Sequence, residues 1–138
     1  GLQAAILTVK MKHLEYWTSL RQKAADIYNR GLRDLNNVVL PNAPEDCEHV
    51  WHLYTIKTNK RDALVDYLNT NDVQTVVNYP IALPFLPSFK YLSHACKDFP
   101  NAFFNQSRIL SIPIYPEIQK QDLNKVIKLI KEFENKIT

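Results

Sequence analysis

Glycine is almost missing from this sequence: its 138 residues contain two, Gly1 and Gly31. A phosphate-cradling loop needs glycine so that backbone N–H groups can approach the anion closely. The scarcity therefore argues against a self-contained nucleotide-binding loop. Long apolar runs are absent as well. None approaches the roughly 18 residues that read as a transmembrane helix, so no membrane partner is expected. No signal-peptide pattern with a small-residue cleavage site is seen either. Cysteine is sparse, and Cys47 and Cys96 do not make the disulfide framework of a secreted domain; this points to the cytoplasm. A basic stripe with aromatic platforms is also lacking. The net charge is +3, with lysines and arginines interleaved among acids, so nucleic acid is not an expected partner.

What is present is an ordinary globular composition, 46% hydrophobic and 22% charged, sufficient for one domain with a core of its own. The chain opens Gly1-Leu2-Gln3-Ala4-Ala5-Ile6-Leu7, with neither an initiator methionine nor a capping residue. The first N–H groups of such a helix would lack partners. The opening reads as a cut boundary inside a longer polypeptide. Residues 3–11 are apolar on nearly every side, a pattern that demands burial all round.

Residues 14–35 predict the clearest amphipathic helix, with Leu14, Trp17, Leu20, Ala24, Ile27, Tyr28, Gly31, Leu32 and Leu35 on one stripe. A loop with Pro41 and Pro44 follows. His49 to Thr58 predicts a strand with Val50, His52, Tyr54 and Ile56 on one face. On that face His52 has two readings, a hydrogen-bonded core histidine or a part of an active-site wall. Asn59, with Asp62 three residues later, reads as the cap of a short helix ending near residues 69–71. Val73 to Tyr79 predicts a second strand. Pro80, Pro84 and Pro87 then exclude a central strand or helix interior. A helical turn over 88–92, a helix from Pro100 to Arg108 and an edge strand from Ile109 to Tyr115 complete the middle of the chain. The last helix starts near Lys120 and buries Leu123, Val126, Ile127, Ile130 and Phe133. The order predicts an α+β fold, a small, mostly antiparallel sheet packed by helices.

Cys47, Glu48, His49 and His52, with His94 and Cys96, include zinc-ligand types. The spacing is not that of a finger, and strand residues 49 and 52 would point to opposite faces. Plain thiols and no metal are the expectation. A Cys–His nucleophile lacks a recognisable orienting acid. The strongest candidate site is Asn78-Tyr79-Pro80, because a proline-locked loop after a strand is a rigid place from which to present a side chain to a ligand. The alternative is that the loop only turns the chain and Tyr79 packs on the core.

Several strings in order resemble the small domain of the DegT/DnrJ/EryC1/StrS nucleotide-sugar aminotransferases. They are Gln3-Ala4-Ala5-Ile6-Leu7-Thr8-Val9-Lys10-Met11 followed by Leu14, Trp17, Arg21, Ala24 and Tyr28, then His52-Leu53-Tyr54-Thr55-Ile56 with Arg61-Asp62-Ala63-Leu64. Tyr79-Pro80-Ile81-Ala82-Leu83, Phe99-Pro100-Asn101-Ala102 and Leu110-Ser111-Ile112-Pro113 continue the match nearly to the end. The resemblance implies that residues 1–138 are a single C-terminal small domain, built as in fold-type I transferases, whose large domain is absent. It further implies a homodimeric enzyme dependent on pyridoxal phosphate. That enzyme would move an amino group, usually from glutamate, to a nucleotide-linked keto-deoxysugar. The cofactor lysine and most phosphate contacts would lie in the large domain, so the fragment alone would be inactive, with no catalytic and no cofactor-binding residue of its own. Asn78, Tyr79, Pro80 and His52 are the expected substrate-binding residues. In one respect the chain departs from the family. Where relatives carry histidine and glutamine after the tyrosine-proline loop, this chain has Pro84 and Leu86. A module of the same fold without catalysis is the competing expectation.

Overall fold

The structure, a computed structural model, describes residues 1–137, the last of them by its backbone only. Its elements are α1 (Leu2–Met11), α2 (Leu14–Leu32), β1 (Tyr54–Lys57), α3 (Arg61–Thr70), α4 (Pro100–Gln106), β2 (Ile109–Ile112) and α5 (Lys120–Ile137). Short 3-10 turns at Leu83–Phe85, Pro87–Leu92 and Cys96–Asp98 fill the stretch between α3 and α4. The α+β expectation holds.

The sheet is smaller than the alternation predicts. β1 and β2 pair antiparallel, Tyr54 opposite Ile112 and Ile56 opposite Leu110. All four of these side chains are buried. Single bridges, Val39 to Lys57 and Val76 to Ser111, extend the sheet on either side. The predicted strand over 73–79 is thus reduced to one bridge, and the predicted edge strand stops at Ile112. Pro113 has no N–H to continue the ladder. Its carbonyl instead accepts the Tyr28 hydroxyl at 2.8 Å.

The predicted strand over 49–58 begins only at Tyr54. Trp51 has φ 51°, in the left-handed region, which breaks the alternation. Its N–H donates to His49 Nδ1 at 2.9 Å, and the two rings stack 4.1 Å apart. Val50 and His52 are therefore exposed rather than on the buried face, and the core-histidine reading of His52 is corrected. The cap of α3 is corrected too. Lys60 occupies the position, and its N–H donates to Thr58 Oγ1. α4 closes at Gln106, short of Arg108.

α2 and α3 lie against α5, and α3 also touches β2. The stripe of α2 is buried where it meets α5, at Ala24, Tyr28 and Leu32, whereas Leu14 is exposed and Trp17 and Leu20 are half-buried. Gly31 sits at the crossing with α5: a Cβ there would stand 2.6 Å from Ile127 Cδ1. That glycine serves helix packing and no anion. On α5, Leu123, Val126, Ile130 and Phe133 are buried and Ile127 is half-buried, as its periodicity predicts. α1 forms as predicted, yet none of its residues is buried.

Candidate functional site

The proline-rich stretch after Val77 leaves the sheet at once. The Asn78–Tyr79 peptide is cis. Proline at 80, 84 and 87 removes backbone donors, so the chain settles into 3-10 turns closed by local bonds, Phe85 N–H to the Ala82 carbonyl and Leu86 N–H to the Leu83 carbonyl. α4 provides the backing. Phe85 meets Phe103 edge to face, with ring centroids 5.5 Å apart. The Ala82 N–H donates to Gln106 Oε1 at 2.9 Å.

Two cavities flank this loop at Tyr79. A small one of about 220 Å³ lies between the loop and α4, lined by Asn78, Tyr79, Ala82, Asn105, Gln106 and Ile109 among others. The second, about 400 Å³, is lined by Tyr79, Pro80, Ile81, Leu83 and Leu86 and offers almost only carbon. Tyr79 belongs to both and is 73% exposed, so the reading in which it packs on the core is ruled out. Asn78 Oδ1 is buried without a hydrogen-bond partner among the described residues. A buried acceptor with no donor costs free energy.

The structure thus brings Asn78, Tyr79 and Pro80 together at one surface. It does not bring His52 there: His52 is exposed in the turn before β1 and lines neither cavity. Leu86 does line the apolar cleft, while Pro84 faces a neighbouring hollow with Phe85 and Pro87. The α4 residues Asn105 and Gln106 belong to the site and were not foreseen. They lie more than twenty residues from Ala82 in sequence, and no periodicity links them.

Cys47 and His49 line a broad open groove of about 900 Å³ with Asn29, Arg30, Arg33 and Trp51. Cys47 and Cys96 are exposed free thiols, and His94 packs edge to face on Phe99 at 4.9 Å. Among the described residues no three His, Cys, Asp or Glu side chains converge as a metal-holding group.

Neither of the two cavities at Tyr79 is lined by a lysine or an arginine; Lys90 lines the neighbouring hollow with Pro84 and Phe85. A phosphorylated aldehyde cofactor needs an amine to bind covalently and cations or helix N-termini to hold its phosphate. The site as it stands in this chain suits a neutral, partly apolar ligand surface and does not by itself fit such a cofactor.

The family model described as the DegT/DnrJ/EryC1/StrS aminotransferase family matches residues 1–131. The pleiotropic regulatory protein of Geobacillus stearothermophilus is 37% identical over 134 residues, 96% of this chain and 36% of that protein. A dTDP-3-amino-3,4,6-trideoxy-alpha-D-glucose transaminase of Streptomyces venezuelae is 29% identical over 136 residues, again with 36% of its length covered. Among solved structures, S. venezuelae DesV in complex with a ketimine intermediate is similar at TM-score 0.91 and 30% identity, over 96% of this chain and 36% of that one. The chain thus spans about 36% of the length of the curated relatives it matches.

Proposed function

Because the chain belongs to the DegT/DnrJ/EryC1/StrS aminotransferase family, we propose that it is the C-terminal small domain of a longer, cytoplasmic, homodimeric aminotransferase dependent on pyridoxal phosphate. The enzyme moves an amino group, from glutamate, to the keto carbon of a nucleotide-linked deoxysugar. The observation that carries the reading is the family match from residue 1 to residue 131, backed by the fold it shares with the ketimine-bound S. venezuelae structure.

The division of labour follows from the chemistry. The cofactor supplies the electron sink when bound, and protein groups orient the substrate and exclude water. The two cavities at Tyr79 carry no amine or cation, which supports the reading that the remainder of the polypeptide holds the cofactor. Its own share is the substrate wall. The ring of Tyr79 and the carbons of Pro80, Ile81, Leu83 and Leu86 form a surface that cannot hydrogen-bond a hydroxyl. Such a wall accepts a deoxygenated or methyl-bearing sugar face and leaves a hydroxylated one unpaired. The Tyr79 hydroxyl supplies a polar contact beside it, and Asn78 lies in the adjoining cavity against α4.

Titrating pyridoxal phosphate into the 138-residue chain tests the division. The expected result is no saturable, stoichiometric absorption band of a lysine adduct. A band abolished by one lysine substitution would sink it. In the longer polypeptide, amino transfer from glutamate to a nucleotide-linked keto-deoxysugar is the expected activity. A second reading, a binding or assembly module without catalysis, is favoured by the similarity to the pleiotropic regulatory protein of Geobacillus stearothermophilus. It predicts a longer polypeptide that binds no cofactor and transfers no amine.

A further inference from the structure

Gln106 is the last residue of α4, and its carboxamide reaches out of the helix to the proline-rich loop. We infer that Gln106 is a positioning residue, whose Oε1, 2.9 Å from the Ala82 nitrogen, fixes the 78–86 loop on α4 and thereby sets where Tyr79 and the apolar cleft stand. The inference rests on the reading that this loop faces the nucleotide sugar.

The loop has few other ties. Three prolines between 80 and 87 carry no N–H, and the remaining bonds of its 3-10 turns are local. Among the described residues, the Ala82–Gln106 bond is the one hydrogen bond that connects residues 78–93 to another element. Gln106 is itself held. Its backbone carbonyl accepts Arg61 Nη1 at 3.3 Å, and the same nitrogen lies 3.5 Å from the Ile109 carbonyl. Arg61 opens α3 and is 8% exposed, so its guanidinium satisfies the Gln106 carbonyl that the end of α4 leaves without a helical partner. A chain of contacts therefore runs from buried Arg61 through Gln106 to Ala82, three residues from Tyr79. The Phe85–Phe103 ring contact restrains the same loop by packing, without a hydrogen bond. Gln106 and Asn78 also line one cavity, so a shift of the loop changes the space around the buried Asn78 oxygen.

Two substitutions separate positioning from simple support. Gln106→Leu keeps the bulk and loses the acceptor; Gln106→Glu keeps an acceptor oxygen at the same reach. In the 138-residue chain, hydrogen exchange at the Ala82 amide should quicken about fivefold to tenfold in Gln106→Leu, as loss of a hydrogen bond worth about 1 kcal/mol implies. It should return close to the wild-type rate in Gln106→Glu, with amides of β1 and α5 unchanged in both. In the longer polypeptide, Gln106→Leu should raise KM for the nucleotide sugar by a similar factor while kcat stays within about twofold, and Gln106→Glu should restore KM. Unchanged exchange at Ala82, exchange quickened equally throughout the core, or an unaltered KM in Gln106→Leu would overturn the inference. If the unsubstituted longer polypeptide transfers no amine, the proposed function falls, and the Ala82 exchange rates decide the clamp on their own.

Discussion

Two buried phenols set the response of this fold to alkali. Burial pushes the Tyr28 hydroxyl above its ordinary value near 10, and negative charge at Tyr54, Tyr115 and Asp122 adds to the shift; burial alone raises Tyr54. A group whose proton is held more tightly in the folded state contributes stability that is fully present below its unfolded pKa. That contribution is lost as pH climbs from there toward the raised folded value. The expected window therefore opens at about pH 10, with a slope approaching about 1.4 kcal/mol per pH unit for each phenol. Urea midpoints measured from pH 8 to 11.5 should fall more steeply for the wild type than for Tyr28→Phe. At pH 7 the variant should be the less stable by about 1 kcal/mol, having lost the bond to the Pro113 carbonyl. Parallel curves would show that the Tyr28 proton is not coupled to folding. Gly31 makes a second prediction at the same scale. An added methyl would meet the Ile127 side chain at 2.6 Å, so Gly31→Ala should destabilise by about 1–3 kcal/mol despite its better helix propensity. Combining it with Ile127→Val should recover part of that loss, and strict additivity would contradict the clash.

At the scale of elements, legibility follows the kind of force that shapes each piece. α5 was readable because one repeated cause, burial of Leu123, Val126, Ile130 and Phe133, recurs at helical spacing. α4 was readable from Pro100 in the first turn. The stretch 49–53 was not readable, since a single imidazole-to-amide bond between His49 and Trp51 turns the backbone, and alternation of residue type carries no trace of it. The same limit hid Gln106 from the candidate site, whereas Tyr79-Pro80 announced itself through proline. α1 was readable as a helix, and its sequence asked for burial that the structure does not supply: Leu2 is 79% exposed and Met11 61%. Ten residues form a marginal helix without tertiary support. Its amides should accordingly exchange with little protection in the 138-residue chain. Removing residues 1–11 should shift Tm by no more than about 2 °C, since a helix without buried side chains adds little to the cooperative unit. A fall of about 5 °C or more would mean that α1 packs on the domain in solution.

For the molecule as a whole, the exposed apolar surfaces are its main liability and its main clue. α1 displays Leu2, Ile6, Leu7, Val9 and Met11, and the stretch around the site displays Tyr79, Leu83 and Tyr91. Monomeric proteins seldom leave contiguous apolar patches larger than a few hundred Å² uncovered. A net charge of +3 provides only weak repulsion between copies. The 138-residue chain should therefore self-associate at high micromolar concentration, with sedimentation coefficients that rise with protein concentration and change little with salt, since the attraction is apolar. Placing charge on the helix alone, as in Ile6→Glu with Val9→Lys, separates the two surfaces. If α1 is the sticky face, this pair abolishes the concentration dependence without altering the core, because neither side chain is buried. If association persists unchanged, the loop surface is responsible, and Tyr79→Ser with Leu83→Ser should remove it. A chain that remains monomeric throughout this range would mean that the apolar faces do not pair with themselves. They would then be shaped for a dissimilar surface, as the small-domain reading requires of a wall that closes on the remainder of a longer enzyme.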